Sequence, residues 1–428
     1  MIKKLLENKT VKNAGWLIGG KVIQMLINLV VALLTARFLG PSNYGLINYA
    51  AAYTAFFAAF CNLGLNSVLV KEFVDNPNQE GRIIGTSLTL KAVSSFISAI
   101  LIITVVNIAD GDERVTITVV ALSCVALLFQ IFETFNYWFQ SKLQSKVTAI
   151  ATLVAYAVTA LYKIILIVMG KSVEWFAFAT SVDYICIGIM LLLAYRKHKG
   201  GKLTFSLDYA KAILKKSVHF IAPGLMVAVY SQTDKIMIKQ MISDAEIGYY
   251  STAVALCSIW CFVLTAIIDS VYPSIMQANN TDETLFIKRN KQLYATVFYI
   301  SVFVSLLFTV FGELIIKIMY GEAYLPAVNP LRIVTWYTAF SYLGVARNAW
   351  IVCKNRQKYL FFVYLSSAVS NVILNFIFIP LWGASGAAFA SLLTQILTTL
   401  VVPFFIKDLR ENSFMMLEAI LLKGIQNN

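Results

Sequence analysis

Nine charged side chains interrupt the long apolar stretches of this sequence. They are Lys21, Lys91, Glu133, Lys163, Asp183, Asp234, Lys235, Asp269 and Arg347. An Arg, Lys or Asp at the centre of a bilayer costs about 2.5–3.5 kcal/mol, so we expect these groups to face protein or water. Membrane carboxylates can bind protons or cations, and lysines and arginines attract anions. The predicted chemistry is therefore ion and anion binding inside a membrane.

Helical spacing assigns several of these residues to polar faces. The first apolar stretch has a polar face formed by Lys21, Gln24, Asn28 and Thr35. In the seventh stretch a polar face contains Ser231, Asp234 and Lys235, and in the eleventh one contains Ser367, Asn371 and Asn375. Polar stripes can simply join neighbouring helices by hydrogen bonds. For the first and seventh stretches we expect them to line a cavity.

Depth in the membrane separates the remaining charges. Asp183 lies near the middle of its stretch and is the strongest case of a buried charge. It is predicted either to act on an ion or to form a structural ion pair or hydrogen bond between helices. Lys163 and Arg347 lie closer to the ends, where long side chains can reach the interface and serve only as anchors.

The elements that carry these residues follow from composition. The 428 residues are 59% hydrophobic and 13% charged, against about 25% charged in soluble domains. Twelve apolar stretches are long enough to cross about 30 Å of hydrocarbon. They are 14–36, 45–68, 83–107, 115–140, 147–169, 174–195, 217–240, 247–272, 292–316, 331–353, 359–379 and 383–406. We predict an all-α integral membrane protein with about twelve transmembrane helices.

The basic residues between these stretches predict the orientation, because Lys and Arg are retained on the cytoplasmic side. Alternate loops, beginning with the N-terminus that contains Lys3, Lys4, Lys9 and Lys12, hold twenty-four basic residues against six in the other loops. Both termini are predicted to be cytoplasmic. The net charge of +13 is mainly a consequence of this asymmetry, and no nucleic-acid partner is predicted.

Weak internal similarity divides the chain into halves. Gly45 corresponds to Gly248 at an offset of 203 residues. Trp138, Lys142 and Lys146 recur as Trp350, Lys354 and Lys358 at an offset of 212. We predict two pseudo-symmetric six-helix lobes at 1–195 and 217–406, a basic cytoplasmic linker at 196–216 and a cytoplasmic tail at 407–428. Since six is even, the lobes share one direction through the membrane, which is a transporter plan with the substrate site between the repeats.

The sequence contains no motif for catalysis or cofactor binding. It has no Gly-rich phosphate loop and no paired acidic motif at a membrane surface, so transport without its own ATPase is favoured over a membrane polymerase or glycosyltransferase. Its six cysteines lie in or beside apolar stretches and it has two histidines, so no metal site is predicted. The short apolar segment 414–422 is predicted to lie along the interface or to be disordered.

Three segments carry a resemblance to a known family. They are "TARFLGPSNYGLINYA", "PGLMVAVYSQTDKIMIKQMISDAEIGYYSTAVAL" and "IPLWGASGAAFASLLTQ". The chain resembles the Wzx-type polysaccharide flippases of the multidrug/oligosaccharidyl-lipid/polysaccharide superfamily. The resemblance implies a MATE-like fold and alternating access. It also implies an undecaprenyl-pyrophosphate-linked oligosaccharide of O-antigen, capsule or exopolysaccharide as substrate, moved across the bacterial cytoplasmic (inner) membrane, and membrane lipids and the polysaccharide polymerase machinery as partners.

The charged residues can be matched to that task. Lys21 and Lys235, with Lys91 or Arg347, are predicted to attract the anionic head, and Gln24, Asn28 and Ser231 complete the predicted substrate-binding set. Tyr49 and Tyr53 are candidates for stacking on sugar rings. The ion-coupling candidates, for H⁺ or Na⁺, are Glu133, Asp183 and Asp234. A multidrug/cation antiporter or a lipid II flippase of the same superfamily remains an alternative.

Overall fold

The computed structural model describes the backbone of residues 9–424 and the side chains of residues 19–424. Within these ranges the chain is helical and contains no β-strand. Lys3 and Lys4 of the predicted basic N-terminus lie outside the described residues, as do the last four residues of the predicted tail. Contacts between Cα atoms divide the chain into two compact units, one ending at Ala228 and the other beginning at Val229.

The first unit is built from eight helices and the first part of a ninth. They are α1 Lys9–Cys61, α2 Asn66–Asp75, α3 Glu80–Ala109, α4 Arg114–Gln130, α5 Thr134–Ser141, α6 Ser145–Val168, α7 Val173–Ala177, α8 Ala179–Lys197 and α9 Leu207–Met241. The core of this unit contains Leu65, Phe135, Trp138, Leu191 and Tyr195.

Helix α1 is interrupted at Gly40, whose φ of 72° and ψ of 172° are not helical. A glycine adopts positive φ without a Cβ clash, and Pro41 directly after it suits the first position of a new helix. A straight helix of 53 residues would be about 80 Å long, more than twice the thickness of the hydrocarbon core. The interruption therefore separates two apolar segments.

The segment predicted as a linker is partly helical, because α9 begins at Leu207. Its irregular part lies against the start of α3, where a Cβ on Gly81 would approach the Lys202 carbonyl oxygen to 2.0 Å. Buried Glu72 of α2 accepts hydrogen bonds from Tyr209 (2.9 Å) and Lys216 (2.6 Å) of α9. The first turns of α9 are thus attached to the first unit.

The second unit contains the remainder of α9 and six more helices. They are α10 Asp244–Thr281, α11 Glu283–Met319, α12 Val328–Cys353, α13 Leu360–Ile396, α14 Val402–Phe405 and α15 Lys407–Ile420, with a π-helical turn at Leu397–Val401. Helix α13 is interrupted at Gly383, where φ is 54°. Leu264, Tyr294, Leu343 and Trp350 lie in the core of this unit.

The tail segment forms the ordered helix α15, so the expectation of disorder is wrong, and a position along the membrane interface stays a prediction. Leu409 and Met416 are fully buried. Asn412 donates a hydrogen bond to the Tyr294 hydroxyl at 2.7 Å, and Lys291 pairs with Glu418 at 2.6 Å. Helix α15 is stable because its apolar face is buried against α11.

Nine helical stretches of the described residues are long and apolar enough to cross a membrane. Two of them, Gly19–Asp75 and Gln357–Phe405, contain the interruptions at Gly40 and Gly383. The predicted tenth span coincides with α12, which is not among the nine, since Arg332 and Arg347 lower its hydropathy.

Both units contain a similar junction, in which the end of one helix lies beside the start of another: α5 and α3 in the first unit, and α12 and α11 in the second. In the first, Lys142 pairs with Glu80 at 2.9 Å and lies 4.3 Å from the Trp138 ring centroid. In the second, Lys354 pairs with Glu283 at 2.7 Å. We call these the Trp–Lys corners: Glu80, Trp138 and Lys142 in the first unit, and Glu283, Trp350 and Lys354 in the second.

Candidate functional site

The polar face of α1 lines a pocket of about 270 Å³ in the first unit. Its polar lining consists of Lys21, Gln24, Asn136, Gln140, Ser145, Thr148 and Thr152, contributed by α1, α5 and the start of α6. Among the described side chains that line it, one carries a positive charge and none is a carboxylate. We call this cavity the Lys21 pocket. Its composition suits an anion accompanied by neutral hydroxyl or amide groups.

Asn28 follows Gln24 on the polar face of α1, one helical turn later, and lines a second cavity of about 210 Å³. The other polar residues of this cavity include Tyr156, Thr159, Lys163 and Asp183. The Tyr156 hydroxyl interacts with the amides of Gln24 and Asn28. The first helix therefore positions predicted residues at two polar cavities, and we call the second one the Asp183 cavity.

Asp183 is loosely held within this cavity. It is 8% exposed, and the hydrogen bond it accepts from Thr159 is 3.4 Å long, beyond the usual 2.5–3.0 Å for hydroxyl donors. Lys163 interacts with Asp183 electrostatically without a direct ion pair among the described contacts. A carboxylate with spare acceptor capacity beside a cavity can accept a proton or bind a cation.

Lys91 and Glu133 lie away from the Lys21 pocket. The Lys91 side chain is 2% exposed and donates to Asn66 Oδ1 at 2.8 Å. Its Nζ lies 5.7 Å from the Tyr137 ring centroid and interacts electrostatically with Glu133. The structure thus brings Lys91 together with an ion-coupling candidate and does not bring it to Lys21.

Asp234 of the second unit is enclosed by hydrogen-bond donors. Its Oδ1 accepts from Asn375 at 2.5 Å, and its Oδ2 accepts from Ser391 at 2.8 Å and from the Tyr250 hydroxyl. The side chain is 3% exposed. One carboxylate thus joins four helical segments, namely α9, α10 and the two parts of α13 on either side of Gly383. Interhelical hydrogen bonding is its role in this conformation.

The neighbours of Asp234 on the predicted polar face have different surroundings. Ser231 is exposed and Lys235 is half-buried. Among the described side chains Lys235 has no hydrogen-bond or ion-pair partner, although Asp234 influences it electrostatically. Consecutive helical residues project about 100° apart, which explains why Asp234 joins the helices while Lys235 does not pair with it.

Arg347 does not act as an interface anchor, which was one of the two expectations for it. It is 4% exposed, and its Nη1 donates to the Thr399 carbonyl oxygen at 3.3 Å. Thr399 lies in the π-helical turn, where the α-helical hydrogen-bond pattern is broken and carbonyl groups become available. Arg347 therefore stabilises this turn inside the second unit.

Tyr49 and Tyr53 are not positioned to stack on sugars, so that hypothesis is wrong for this conformation. Tyr49 is 0% exposed and Tyr53 is 5% exposed. The Tyr49 hydroxyl donates to Asp110 Oδ2 at 2.7 Å, and the two rings meet edge-to-face with centroids 5.0 Å apart. Both rings contribute to packing in the first unit.

Sequence reasoning missed the other side of the Lys21 pocket. Asn136 and Gln140 are four residues apart, and Ser145, Thr148 and Thr152 also share a helical face. The same spacing rule that selected Lys21 and Gln24 would have found them. They were overlooked because they lie at the ends of two predicted spans, where polar residues are ordinary.

Comparison with known proteins places the chain in a family. Residues 10–279 match the family described as polysaccharide biosynthesis protein. The chain is 19% identical over 409 residues to the capsular polysaccharide biosynthesis protein CapF of Staphylococcus aureus, covering 93% of this chain and 99% of the relative. It is 21% identical over 399 residues to a putative O-antigen transporter of Escherichia coli (strain K12), covering 89% and 94%.

Solved structures show the same fold. The lipid II flippase MurJ in an inward closed conformation superposes with a TM-score of 0.74 at 14% identity, covering 98% of this chain and 94% of that one. An inward-facing multidrug resistance MATE transporter of the MOP superfamily gives a TM-score of 0.68 at 14% identity, covering 92% and 96%. The chain belongs to the polysaccharide biosynthesis protein family, and it is a multi-pass membrane protein with the fold of these two solved structures.

Proposed function

We propose that this protein is a flippase that moves undecaprenyl-pyrophosphate-linked oligosaccharide repeat units from the cytoplasmic to the outer leaflet by alternating access. The observation that carries the proposal is the Lys21 pocket, in which a membrane-spanning helix presents a cation among neutral polar groups. An anionic pyrophosphate and sugar hydroxyls need such a path across about 30 Å of hydrocarbon. The lipid tail can remain in the bilayer.

The proposed topology has twelve crossings in two six-helix lobes, with both termini cytoplasmic, in a bacterial inner membrane. It is supported by the nine apolar stretches, two of which are long enough to cross twice and are interrupted at Gly40 and Gly383. If each of those two stretches crosses twice and α12 crosses once, the described residues supply the twelve crossings that the sequence predicts. Alkaline phosphatase fused after residue 112 or residue 171 should be active, and fused after residue 144 it should be inactive.

The proposed energy source is an H⁺ or Na⁺ gradient, with Asp183 as the first candidate for the coupling group. This choice is supported by the Asp183 cavity and by the long hydrogen bond, 3.4 Å, that this carboxylate accepts from Thr159 among the described side chains. Asp234 is already satisfied by three donors, and Glu133 is not among the residues that line the Lys21 pocket or the Asp183 cavity. Asp183→Asn should abolish the dependence of transport on the gradient, whereas unchanged dependence would exclude Asp183.

The test of the main proposal uses a strain in which the gene is deleted and replaced by variants at equal protein level. Lys21→Ala and Lys235→Ala should each reduce surface glycan, while the lipid-linked intermediate accumulates on the cytoplasmic leaflet. Lys317→Ala is the matched control, because Lys317 is exposed and pairs only with the equally exposed Glu322 among the described residues. Normal surface glycan in both the Lys21 and Lys235 variants would remove these residues from the mechanism.

The same deletion strain separates the alternatives. A lipid II flippase would be essential for growth, whereas the proposed transporter is needed for surface glycan. A multidrug/cation antiporter would confer resistance to cationic compounds and leave surface glycan unchanged. If glycan assembly stopped without an intact lipid-linked intermediate, the defect would instead lie in synthesis. The proposed partners are this lipid-linked glycan, the surrounding lipids and a polysaccharide polymerase that receives the product.

A further inference from the structure

The Lys21 pocket contains two kinds of neutral polar group that complement one another. Asn136 and Gln140 of α5 supply amides, which both donate and accept hydrogen bonds. Thr148 and Thr152 of α6 donate their hydroxyl hydrogens to carbonyl oxygens of their own helix, at 3.0 Å and 2.9 Å. Their oxygen lone pairs remain available as acceptors. The pocket wall can therefore meet a ligand whose groups both donate and accept.

One of these amides has an unfilled acceptor. The Oδ1 atom of Asn136 is buried and receives no hydrogen bond from any described side chain. An unsatisfied buried acceptor is costly, and a hydroxyl or N–H donor entering the pocket removes that cost after a small rotation of the amide. Donors of this kind are carried by sugar rings and acetamido groups, and a lipid tail carries none.

The size of the pocket limits what it can hold. About 270 Å³ lies just below the range of about 300–1,000 Å³ that holds drug-sized ligands. A single sugar ring with its substituents fits this space better than an oligosaccharide repeat unit does. The remaining sugars of a repeat unit would have to lie outside it.

Lys21 determines which sugar this would be. Its ammonium is the positively charged group among the described lining residues, so an anionic head is attracted to the same pocket. The first sugar of a lipid-linked glycan is bonded directly to the pyrophosphate. When the pyrophosphate lies at Lys21, that sugar is the part of the glycan within reach of α5 and α6.

We infer that the Lys21 pocket is a subsite for the pyrophosphate-proximal sugar, with Asn136, Gln140, Thr148 and Thr152 as specificity-determining residues and Lys21 as the contact to the phosphate. This inference rests on the proposed flippase function and adds the part of the substrate that is recognised. According to this inference, residues of α5 and α6 recognise the sugar, and Lys21 of α1 recognises the charge of the phosphate.

Two soluble probes can separate these roles. One is a short-chain polyprenyl pyrophosphate whose terminal phosphate is a methyl ester, and the other carries one N-acetylhexosamine in place of the methyl group, so that both pyrophosphates have the same charge. Binding of each is measured on the purified full-length protein in detergent by isothermal titration calorimetry. The sugar-bearing probe should bind more tightly than the sugar-free probe, since it adds hydrogen bonds to the pocket.

Asn136→Ala and Gln140→Ala should each weaken binding of the sugar-bearing probe by about two- to tenfold, the range expected for one lost hydrogen bond. Binding of the sugar-free probe should be unchanged. Thr148→Val should act in the same direction. Lys21→Ala should weaken the binding of both probes by a similar factor. Asn43→Ala is the matched control, because Asn43 is an exposed amide on α1 bonded to a carbonyl of its own helix.

The outcomes distinguish this inference from the function on which it rests. Equal binding of the two probes, or an equal loss for both in the Asn136 and Gln140 variants, overturns the sugar subsite. If the sugar subsite fails while Lys21→Ala still weakens both probes, the pyrophosphate contact of the proposed function stands. A melting temperature for each variant identifies any that is misfolded, and Gln140→Asn then serves as the conservative replacement, with a smaller loss expected than for Gln140→Ala.

Discussion

Asp183 in the first unit and Asp234 in the second are both carboxylates within membrane-spanning helices, but their surroundings differ. Asp234 accepts three hydrogen bonds from α10 and α13. Asp183 accepts one long bond, lies beside a cavity and has Lys163 nearby. Asp183 can therefore respond to an ion that enters the cavity, whereas Asp234 holds helices together.

The repeat offset of 212 residues makes this difference more specific. It relates Thr159, Lys163 and Asp183 of the first unit to Asn371, Asn375 and Gln395 of the second. At these positions the first unit has an oppositely charged pair and a hydroxyl, and the second has three neutral amides, all buried. Asn375 donates to Asp234 and to Asn371. At these positions the second unit thus has two amides hydrogen-bonded to each other and to a carboxylate of another helix, where the first unit has an ionic cavity.

The Trp–Lys corners are more alike, because each has a buried tryptophan and a Lys–Glu pair, although Lys142 lies over the Trp138 ring and Lys354 lies over the Phe286 ring. Trp138 and Trp350 are each 1% exposed, and the indole N–H of each has no acceptor among the described residues. In each corner a residue at positive φ follows the helix two residues after its end, Leu143 after α5 and Asn355 after α12, both at 54°. The two units are therefore similar at the helix ends that pack in the Trp–Lys corners, and they differ around the charged residues within the membrane-spanning helices.

The largest expected effect tests whether the two corners are equivalent. Trp138→Ala and Trp350→Ala should each lower the free energy of unfolding by about 3–5 kcal/mol, because each removes a large buried ring from a core. The measurement is reversible unfolding of the purified protein in mixed micelles. Losses that differ by more than about 2 kcal/mol would show that only one ring fills its core well, since such costs depend on how far the site can collapse.

The next effect tests the difference between the carboxylates. Asp234→Asn should destabilise the protein by about 1.5–3 kcal/mol, the contribution expected of hydrogen bonds to a charged group. Asp183→Asn should cost less than about 1 kcal/mol, because the hydrogen bond that Asp183 accepts from Thr159 is 3.4 Å long and therefore weak. The same unfolding assay measures both. Equal losses would contradict the contrast between a structural and a responsive carboxylate.

A smaller effect concerns the ion pairs of the corners. Lys142→Ala and Lys354→Ala should each cost about 0.2–1 kcal/mol, since both pairs are partly exposed to solvent. Double-mutant cycles with Glu80→Ala and Glu283→Ala isolate the pair interactions. A coupling energy above about 2 kcal/mol in either corner would mean that the pair acts as a buried one.

The smallest effect compares the helix starts beside the corners. Asp282 caps α11 and lies 203 residues after Gln79, which precedes α3 and makes no side-chain cap. Hydrogen bonds from the Thr284 hydroxyl, and from the N–H groups of Thr284 and Leu285, hold the pKa of Asp282 below its usual range. The carboxylate is therefore stabilised in the folded state, and this contribution is present above about pH 4 and is lost as the pH falls through the lowered pKa.

Asp282→Gln should consequently lower the melting temperature slightly at pH 7 and have no effect once the pH is well below 4. Gln79→Ala is the control, with a melting-temperature change that does not depend on pH in this range. An Asp282→Gln effect that stays constant down to pH 3 would exclude the capping carboxylate as its cause.

Predictions from sequence succeeded where a property belongs to one helix. The all-helical membrane class follows from composition and the polar face of α1 from helical spacing, while nine stretches of the described residues are long and apolar enough to span a membrane, where twelve were predicted. They failed where a side chain depends on its surroundings: Tyr49 and Tyr53 are packed against each other and Asp110, and Arg347 is enclosed at a π-helical turn. The order of helix α15 could not be predicted, because it depends on burial of Leu409 and Met416 in the core of the second unit.

The sequence by itself determined that the chain crosses a membrane many times and which side of each helix is polar. Both are local, since about 20 apolar residues make one crossing and a helical repeat of 3.6 residues sets a face. Tertiary structure decided which polar faces meet. Asp234 and Asn375 are 141 residues apart in the chain and form a hydrogen bond, and Lys21 shares its pocket with Asn136 and Gln140. Periodicity carries no information about the helix that lies opposite, because packing of the whole unit selects that partner.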